Sequence, residues 1–268
     1  MNVKYGVIIP ARNEEAHIGR SILSLRRQVL RPLIIVVIDD SSNDKTALIA
    51  EKMGALVIKL KRKSSVSATG TPYLAYVINK GLEVVEKYSL DYVMISGADC
   101  LYPKGYAHNL ISRMKKENVI LASGVVVGEH TSPLSVRGSG RMINAKWFKT
   151  IGFRYPLNYG FETWLIFKAL SQGFKVKVYK DLKFISLRKT SFNKKKAYLY
   201  GKAMRALGYT PLYTLIRATY LALKYGHSIA RYLVLGYLKS KVRLYEDILQ
   251  YTKYIQAKNL LYKLFREI

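Results

Sequence analysis

Val36-Val37-Ile38-Asp39-Asp40-Ser41-Ser42-Asn43-Asp44-Lys45-Thr46 carries an apolar run straight into two adjacent acids. A polar turn follows, then Ala47, Leu48, Ala50 and Met53 at helical spacing. Read as a buried strand, residues 33–38 deliver both acids to a strand's carboxyl end, where ligands bind in open α/β sheets. The purely local alternative is a helix cap, because Asp, Ser and Asn all favour helix starts.

The flanking sequence repeats the pattern. Val3 to Ile9 reads as a buried strand ending at Pro10. Ala11-Arg12-Asn13-Glu14-Glu15 leads into a helix with Ile18, Ile22 and Leu25 on one face. Downstream, Gly54 stops a helix, and Ala55 to Leu60 forms a third strand. Lys61-Arg62-Lys63-Ser64-Ser65 and Thr69-Gly70-Thr71-Pro72 form a basic loop ahead of a helix over 73–88. Asp91 to Ser96 is a fourth strand, ending at Gly97-Ala98-Asp99-Cys100, and Pro103 suits the first turn of the next helix. Residues 119–127 form another strand, and the turn-rich segment 128–140 is expected to loop over the site. A helix over 161–170, Gly173 and a strand over 174–179 follow. Such alternation predicts an α/β fold with a mostly parallel, doubly wound sheet, in which two strands each bring an Asp to the same edge.

Past Ser191 no strand pattern remains. Leu212, Leu215, Ile216, Tyr220 and Leu223 mark one helix face, and Leu244, Ile248, Tyr251, Ile255, Tyr262 and Phe265 mark another. The expected division is therefore an α/β domain over 1–190 and a helical extension over 191–268. From Lys194 onward fifteen Lys and Arg face only Glu246, Asp247 and Glu267, and twelve of the 22 Tyr lie there. Basic, Tyr-studded helices fit the interface of an anionic bilayer. They equally fit an appendage packed on the sheet, with its Lys and Arg solvated and its Tyr in an ordinary core.

The whole chain shares this charge. Its 45 Lys+Arg against 17 Asp+Glu leave +28, which implies an anionic partner: nucleic acid, a bilayer surface or a phosphorylated substrate. Heat adaptation would call for matching Glu, which is missing. The single Cys100 excludes an intramolecular disulfide. No signal peptide is visible, and no apolar run approaches the ~20 residues of a membrane span. The expected location is cytoplasmic, with peripheral attachment at the inner face of the membrane.

Four motifs in order resemble the family 2 glycosyltransferases of the GT-A fold, over about residues 4 to 190. Val7-Ile8-Ile9-Pro10-Ala11-Arg12-Asn13-Glu14 is similar to that family's opening strand and Asn-Glu turn. Asp39-Asp40-Ser41-Ser42-Asn43-Asp44-Lys45-Thr46 resembles its Asp-Asp-x-Ser-x-Asp-x-Thr motif. Gly97-Ala98-Asp99 sits where the family has Asp-x-Asp, so the first acid, a ribose contact, is absent. Phe161-Glu162-Thr163-Trp164-Leu165 is similar to its Glu-Asp-Thr helix, with Glu162 at the position of the second acid.

The resemblance implies a nucleotide-diphospho-sugar donor and a divalent cation, Mg or Mn, held by Asp99. Hard ions of this kind take few protein carboxylates and bind substrate phosphates as well. Asp40, with Asp39 beside it, would face the nucleobase and ribose, and Pro10, Asn13 and Glu14 would line the same pocket. Glu162 would be the general base that deprotonates an acceptor hydroxyl for an inverting displacement. Trp164 is a sugar-stacking or core residue. Arg62, Lys63, Arg137 and Arg141 are candidates for holding the diphosphate. The acceptor is expected to be lipid-linked or a glycan. A polyprenyl phosphate acceptor, already ionised and needing no base, is an alternative. So is a non-catalytic basic module binding nucleic acid, although no nucleic-acid motif accompanies the charge.

Overall fold

The computed structural model describes residues 3–62, 67–129, 136–188 and 191–264. β1 (Tyr5–Ala11), β2 (Ile34–Asp40), β3 (Leu56–Leu60) and β4 (Tyr92–Ile95) alternate with α1 (Ile18–Arg26), α2 (Thr46–Lys52) and α3 (Pro72–Val85). Then come β5 (Cys100–Leu101), α4 (Tyr106–Glu117), β6 (Val119–Val126), β7 (Arg141–Asn144), α5 (Ala145–Thr150), α6 (Phe161–Ser171) and β8 (Lys175–Ser186). The sheet order is β3-β2-β1-β4-β7-β6-β8-β5. β1, β2, β3 and β4 are parallel, with Ala11 beside Asp39 and Ile8 beside Ile95. Their carboxyl ends therefore share one edge.

Apolar residues in unbroken runs cover both faces of the central strands, as expected where helices flank a parallel sheet. Val7 and Ile9 share a core with Ile18, Ile22 and Leu25 of α1. Ile8 faces the other way, so close to α3 that a side chain on Gly81 would begin 2.6 Å from its Cγ2. β7 joins β4 and β6 antiparallel, so the sheet is mixed.

Three short elements have no counterpart in the sequence reading: β5, β7 and α5. Each spans six residues or fewer, too short for a period to show. The last strand also runs on to Ser186, because β8 pairs with β6 and then with β5. Pro103 lies in the turn before α4 rather than in its first turn, and its carbonyl accepts from Tyr106 N at 2.9 Å. Lys63, Phe265 and part of the segment expected to loop over the site lie outside the described residues.

The chain forms two compact units. The first comprises Met1–Val66, Tyr76–Tyr155 and Gly173–Lys189; the second comprises Ser67–Ala75, Pro156–Gln172 and Thr190–Ile268. The expected division at residue 190 followed chain order, whereas the contacts group α6 with the carboxyl-terminal helices. The reason is local: the Trp164 indole donates to Asp247 Oδ1 at 3.1 Å, and Lys168 pairs with the same carboxylate at 3.0 Å.

The second unit contains α7 (Lys194–Ala206), α8 (Pro211–Tyr225), α9 (His227–Leu238) and α10 (Leu249–Leu264). Asn193 and Thr210 cap α7 and α8 with their side chains, and Pro211 occupies a position that needs no donor. α7 and α9 meet backbone to backbone. A Cβ on Gly201 would fall 2.0 Å from Leu233 O, and one on Gly236 would fall 2.0 Å from Tyr198 O. α8 turns Thr214, Ala218 and Leu221 inward. The apolar face read from the sequence points outward: Leu212 is 63% exposed and Leu223 86%. Among the described residues, no helix is long and apolar enough to cross a membrane.

Gly201→Val should destabilise the second unit by roughly 1–3 kcal/mol, because the added carbons have no space between the two backbones. Thermal unfolding followed by circular dichroism checks this, and an unchanged midpoint would contradict the close approach of α7 and α9.

Candidate active site

The turn after β1 is tied to the turn after β2 by five hydrogen bonds. Asn13 N donates to Ser42 Oγ at 2.9 Å, and Asn43 N returns to Asn13 Oδ1 at 2.9 Å. Glu14 N donates to Thr46 Oγ1 at 2.7 Å and Glu15 N to Asp44 Oδ2 at 3.1 Å, while Lys45 N donates to Glu15 Oε2 at 3.0 Å. Asn13 and Ser41 adopt left-handed backbone (φ 52° and 57°), which Asn tolerates better than most residues. Burial works to raise the pKa of Asp44, but hydrogen bonds from Thr46 and from backbone N–H groups outweigh it and hold it below the ordinary value.

Both acids of the central stretch are buried at the end of β2. Asp39 accepts from Ser42 Oγ. Asp40 Oδ2 receives Arg62 Nη1 at 2.6 Å, with Arg12 Nη1 at 3.9 Å. Arg62, expected to hold a diphosphate, thus sits on a carboxylate. Its backbone N–H also donates to Ser41 Oγ at 2.6 Å. Pro10 lies beside Ile38 at the start of the same edge.

On the other side of β1, β5 pairs with the end of β8 and brings residues 186–188 against Asp99. Ser186 Oγ donates to Asp99 Oδ2 at 3.0 Å, and Arg188 N donates to it at 3.3 Å. Arg188 Nε lies 3.6 Å from the same oxygen, while Arg188 Nη2 donates to Glu14 Oε1. One guanidinium therefore bridges two carboxylates from separate loops. Glu14 is 5% exposed, and its Oε2 has no hydrogen-bond partner among the described residues. Burial holds its pKa above the ordinary value; Arg188 pulls it down and Asp99 pushes it up. Below, Tyr102 stacks on Phe184 with ring centroids 5.1 Å apart, and Tyr102 and Ser96 share a hydroxyl contact of 3.0 Å. Burial pushes the adjacent Cys100 thiol up to about 11, so it is un-ionised at neutral pH.

This donor set suits a hard cation. Among the described residues no cluster of three or more His, Cys, Asp or Glu forms a complete cage. Mg²⁺ bound with a substrate phosphate needs only one or two carboxylates. Asp99 and Glu14, with its unsatisfied Oε2, are the two carboxylates here that could hold such an ion.

Other expected residues make contacts of their own. Arg141 is 1% exposed and donates to Val136 O at 2.9 Å and Tyr155 Oη at 3.3 Å, so it is an interior residue, not a loop cation. Arg137 pairs with Glu129. Glu162 stands in the first turn of α6, in the second unit, where the helix dipole favours a carboxylate. Trp164 is a core residue of that unit, with Tyr245 at 6.0 Å between ring centroids. Arg188 and Ser186 were missed by the sequence reading, because nothing in Leu187-Arg188-Lys189 distinguishes it from the basic segment that follows.

The fold that carries this edge has counterparts in known proteins. The family described as Glycosyl transferase family 2 matches residues 6–182. The chain belongs to that family. Its architecture is the GT-A fold. The mannosyltransferase PcManGT from Pyrobaculum calidifontis, solved with GDP-Man and Mn²⁺, is similar at a TM-score of 0.61 and 16% identity, covering 88% of this chain and 86% of that one. TarS 1-349 of S. aureus with UDP-GlcNAc is similar at a TM-score of 0.60 and 17% identity, covering 88% and 72%. A 4,4'-diaponeurosporenoate glycosyltransferase of Staphylococcus haemolyticus is 53% identical over 51 residues. That match covers 19% of this family 2 chain and only 13% of the relative.

The structure also gives a physical reason for the glycine at the family's first acid. A Cβ on Gly97 would lie 2.9 Å from both Cys100 Sγ and Ser139 Oγ and 3.0 Å from Asp99 Oδ1. Any side chain there would push on the Asp99 turn.

Asp44→Ala should remove one of the five hydrogen bonds that join the two turns and cost roughly 1 kcal/mol at pH 7. The folded pKa of Asp44 lies below its ordinary 3.8, so its contribution is present above that pH and disappears as pH falls. The gap between wild-type and variant unfolding midpoints should therefore close in acid, and a gap independent of pH would contradict the assignment.

Proposed function

We propose that the chain is a glycosyltransferase that moves a sugar from a nucleotide-diphosphate donor to an acceptor hydroxyl with inversion. The observation that carries this reading is the convergence of Asp40, Glu14 and Asp99 at adjacent carboxyl ends of a GT-A sheet. Neighbours of the same fold, crystallised with GDP-Man and Mn²⁺ or with UDP-GlcNAc, support a donor of that class.

Asp40 would accept N–H bonds from the nucleobase, with Arg62 and Arg12 fixing its orientation. Asp39, held by Ser42, would meet the ribose, while Pro10 and Asn13 shape the pocket floor. Asp99 and Glu14 would hold Mg²⁺ or Mn²⁺, which supplies positive charge to the departing diphosphate. Glu162 would take the proton of the acceptor hydroxyl as its oxygen forms a bond to the anomeric carbon. The bond from that carbon to the diphosphate oxygen breaks on the opposite face, and the electron pair leaves with the diphosphate. General-base assistance of this kind is worth roughly 10²–10⁴-fold.

The acceptor would be lipid-linked or a glycan, reached at a membrane surface. Two observations favour the surface. The apolar stripe of α8 is exposed, and no Asp or Glu occurs between Leu182 and Tyr245 to offset the Lys and Arg there. Exposed apolar residues on a basic helix dock in an anionic interface, and Tyr220, with Arg217 5.5 Å from its ring centroid, suits the headgroup layer.

UDP and GDP should bind with Mn²⁺ by calorimetry, and Asp99→Ala should abolish the metal-dependent part. Failure of any nucleoside diphosphate to bind would overturn the donor reading and leave the polyanion-binding alternative. Glu162→Gln should retain binding and lose roughly 10²-fold or more in turnover; unchanged turnover would instead mark a phosphate acceptor. Replacing Leu212, Leu215 and Leu223 together by Ser should cut co-sedimentation with phosphatidylglycerol vesicles about tenfold or more, given ~1.5–3 kcal/mol for a fully buried Leu. Equal partitioning would remove α8 from membrane contact.

A further inference from the structure

The bridge formed by Arg188 does more than neutralise two acids. Its guanidinium spans Glu14 on the turn after β1 and Asp99 on the turn after β4, the two carboxylates suited to a divalent cation. We propose that Arg188 is a resident counter-cation that occupies the metal-binding carboxylates in the nucleotide-free protein, and that it yields them only when a nucleoside diphosphate draws it onto its phosphates. This inference rests on the donor reading above.

Three observations favour exchange over a permanent ion pair. The carboxylates are shielded while the cation is half exposed: Glu14 and Asp99 side chains are 6% and 15% exposed, and that of Arg188 is 55% exposed. Glu14 Oε2 is buried without a hydrogen-bond partner among the described residues, so the guanidinium satisfies this carboxylate through one oxygen only. A permanent pair in that position would be expected to satisfy both oxygens, because a half-satisfied buried carboxylate is costly. Lastly, a guanidinium forks onto phosphate oxygens as well as onto carboxylates, so the same group has a second partner once a diphosphate arrives.

The consequence is coupling. Metal alone must displace Arg188 at a cost, whereas metal with a diphosphate finds Arg188 already recruited. Each ligand then raises the affinity for the other by the same factor. Ser186 Oγ lies 3.0 Å from both Asp99 Oδ2 and Arg188 O and donates its one proton to either, which keeps the backbone in position while the side chain moves.

The test uses the full chain and Mn²⁺, with free metal read by electron paramagnetic resonance and no turnover required. In the absence of nucleotide, Arg188→Ala should bind Mn²⁺ roughly three- to tenfold more tightly than wild type, as removing a competing, half-exposed cation should. The extra Mn²⁺ affinity conferred by UDP or GDP should shrink by the same factor. Arg188→Lys, which keeps the charge, should restore weak binding of metal alone. A circular dichroism melt confirms folding, and exposure of the side chain leaves the core undisturbed. Unchanged or weaker Mn²⁺ binding by Arg188→Ala, with nucleotide binding intact in wild type, overturns the counter-cation alone. Tighter Mn²⁺ binding by Arg188→Ala in a protein that binds no nucleotide sustains competition at the carboxylates and overturns both the donor reading and the recruitment step. No Mn²⁺ binding by any form overturns both.

Discussion

The hydrogen bonds that join the turn after β1 to the turn after β2 are the constraint on which the candidate site depends. Parallel strands place their carboxyl ends on one edge, but strand ends alone leave the following turns free to diverge. Here Asn13, Glu15, Asp44 and Thr46 use their side chains on the neighbouring turn's backbone. The result is a rigid rim in which Glu14 is directed toward Asp99 and Asp40 stays at the end of β2. Several motif residues therefore act on shape, and the carboxylates they position are left for chemistry.

A strongly basic chain with an acid-lined edge poses an electrostatic problem that the structure solves locally. Removing carboxylates from water is expensive unless a cation is close. Three of the acids at this edge have one, Arg62 and Arg12 for Asp40 and Arg188 for Glu14 and Asp99, while Asp39 accepts from the Ser42 hydroxyl. Charged ligands entering such a site exchange partners with these cations instead of meeting bare charge. In the second unit, cations rest over Tyr rings, as with Lys202 over Tyr159 at 4.9 Å and Lys224 over Tyr225 at 5.4 Å. These pairs keep basic and aromatic groups of the second unit together.

The second unit is assembled by a different rule from the first. Its helices approach through glycine, with Gly201 and Gly236 bringing α7 and α9 into backbone contact, and its buried stripe on α8 is Thr214, Ala218 and Leu221. Large apolar side chains on α8 are displaced to the outside. Hydrophobic periodicity alone marks the wrong face as core, because it ranks residues by size and apolarity and cannot register a close backbone approach.

Local chemistry was legible in the chain. The apolar runs of β1, β2 and β4, the acids at their ends and the helix stop at Gly54 follow from period and backbone preference, and the order of four motifs led to the family. Short elements such as β7, and the partners of each acid, were not legible. A four-residue strand has no period, and Arg188 meets Glu14 across 174 residues only because β8 pairs with β5. Side-chain type and spacing decide which groups can do chemistry. Which of them touch is decided by long-range pairing, since contacts between distant segments form only once the sheet has closed.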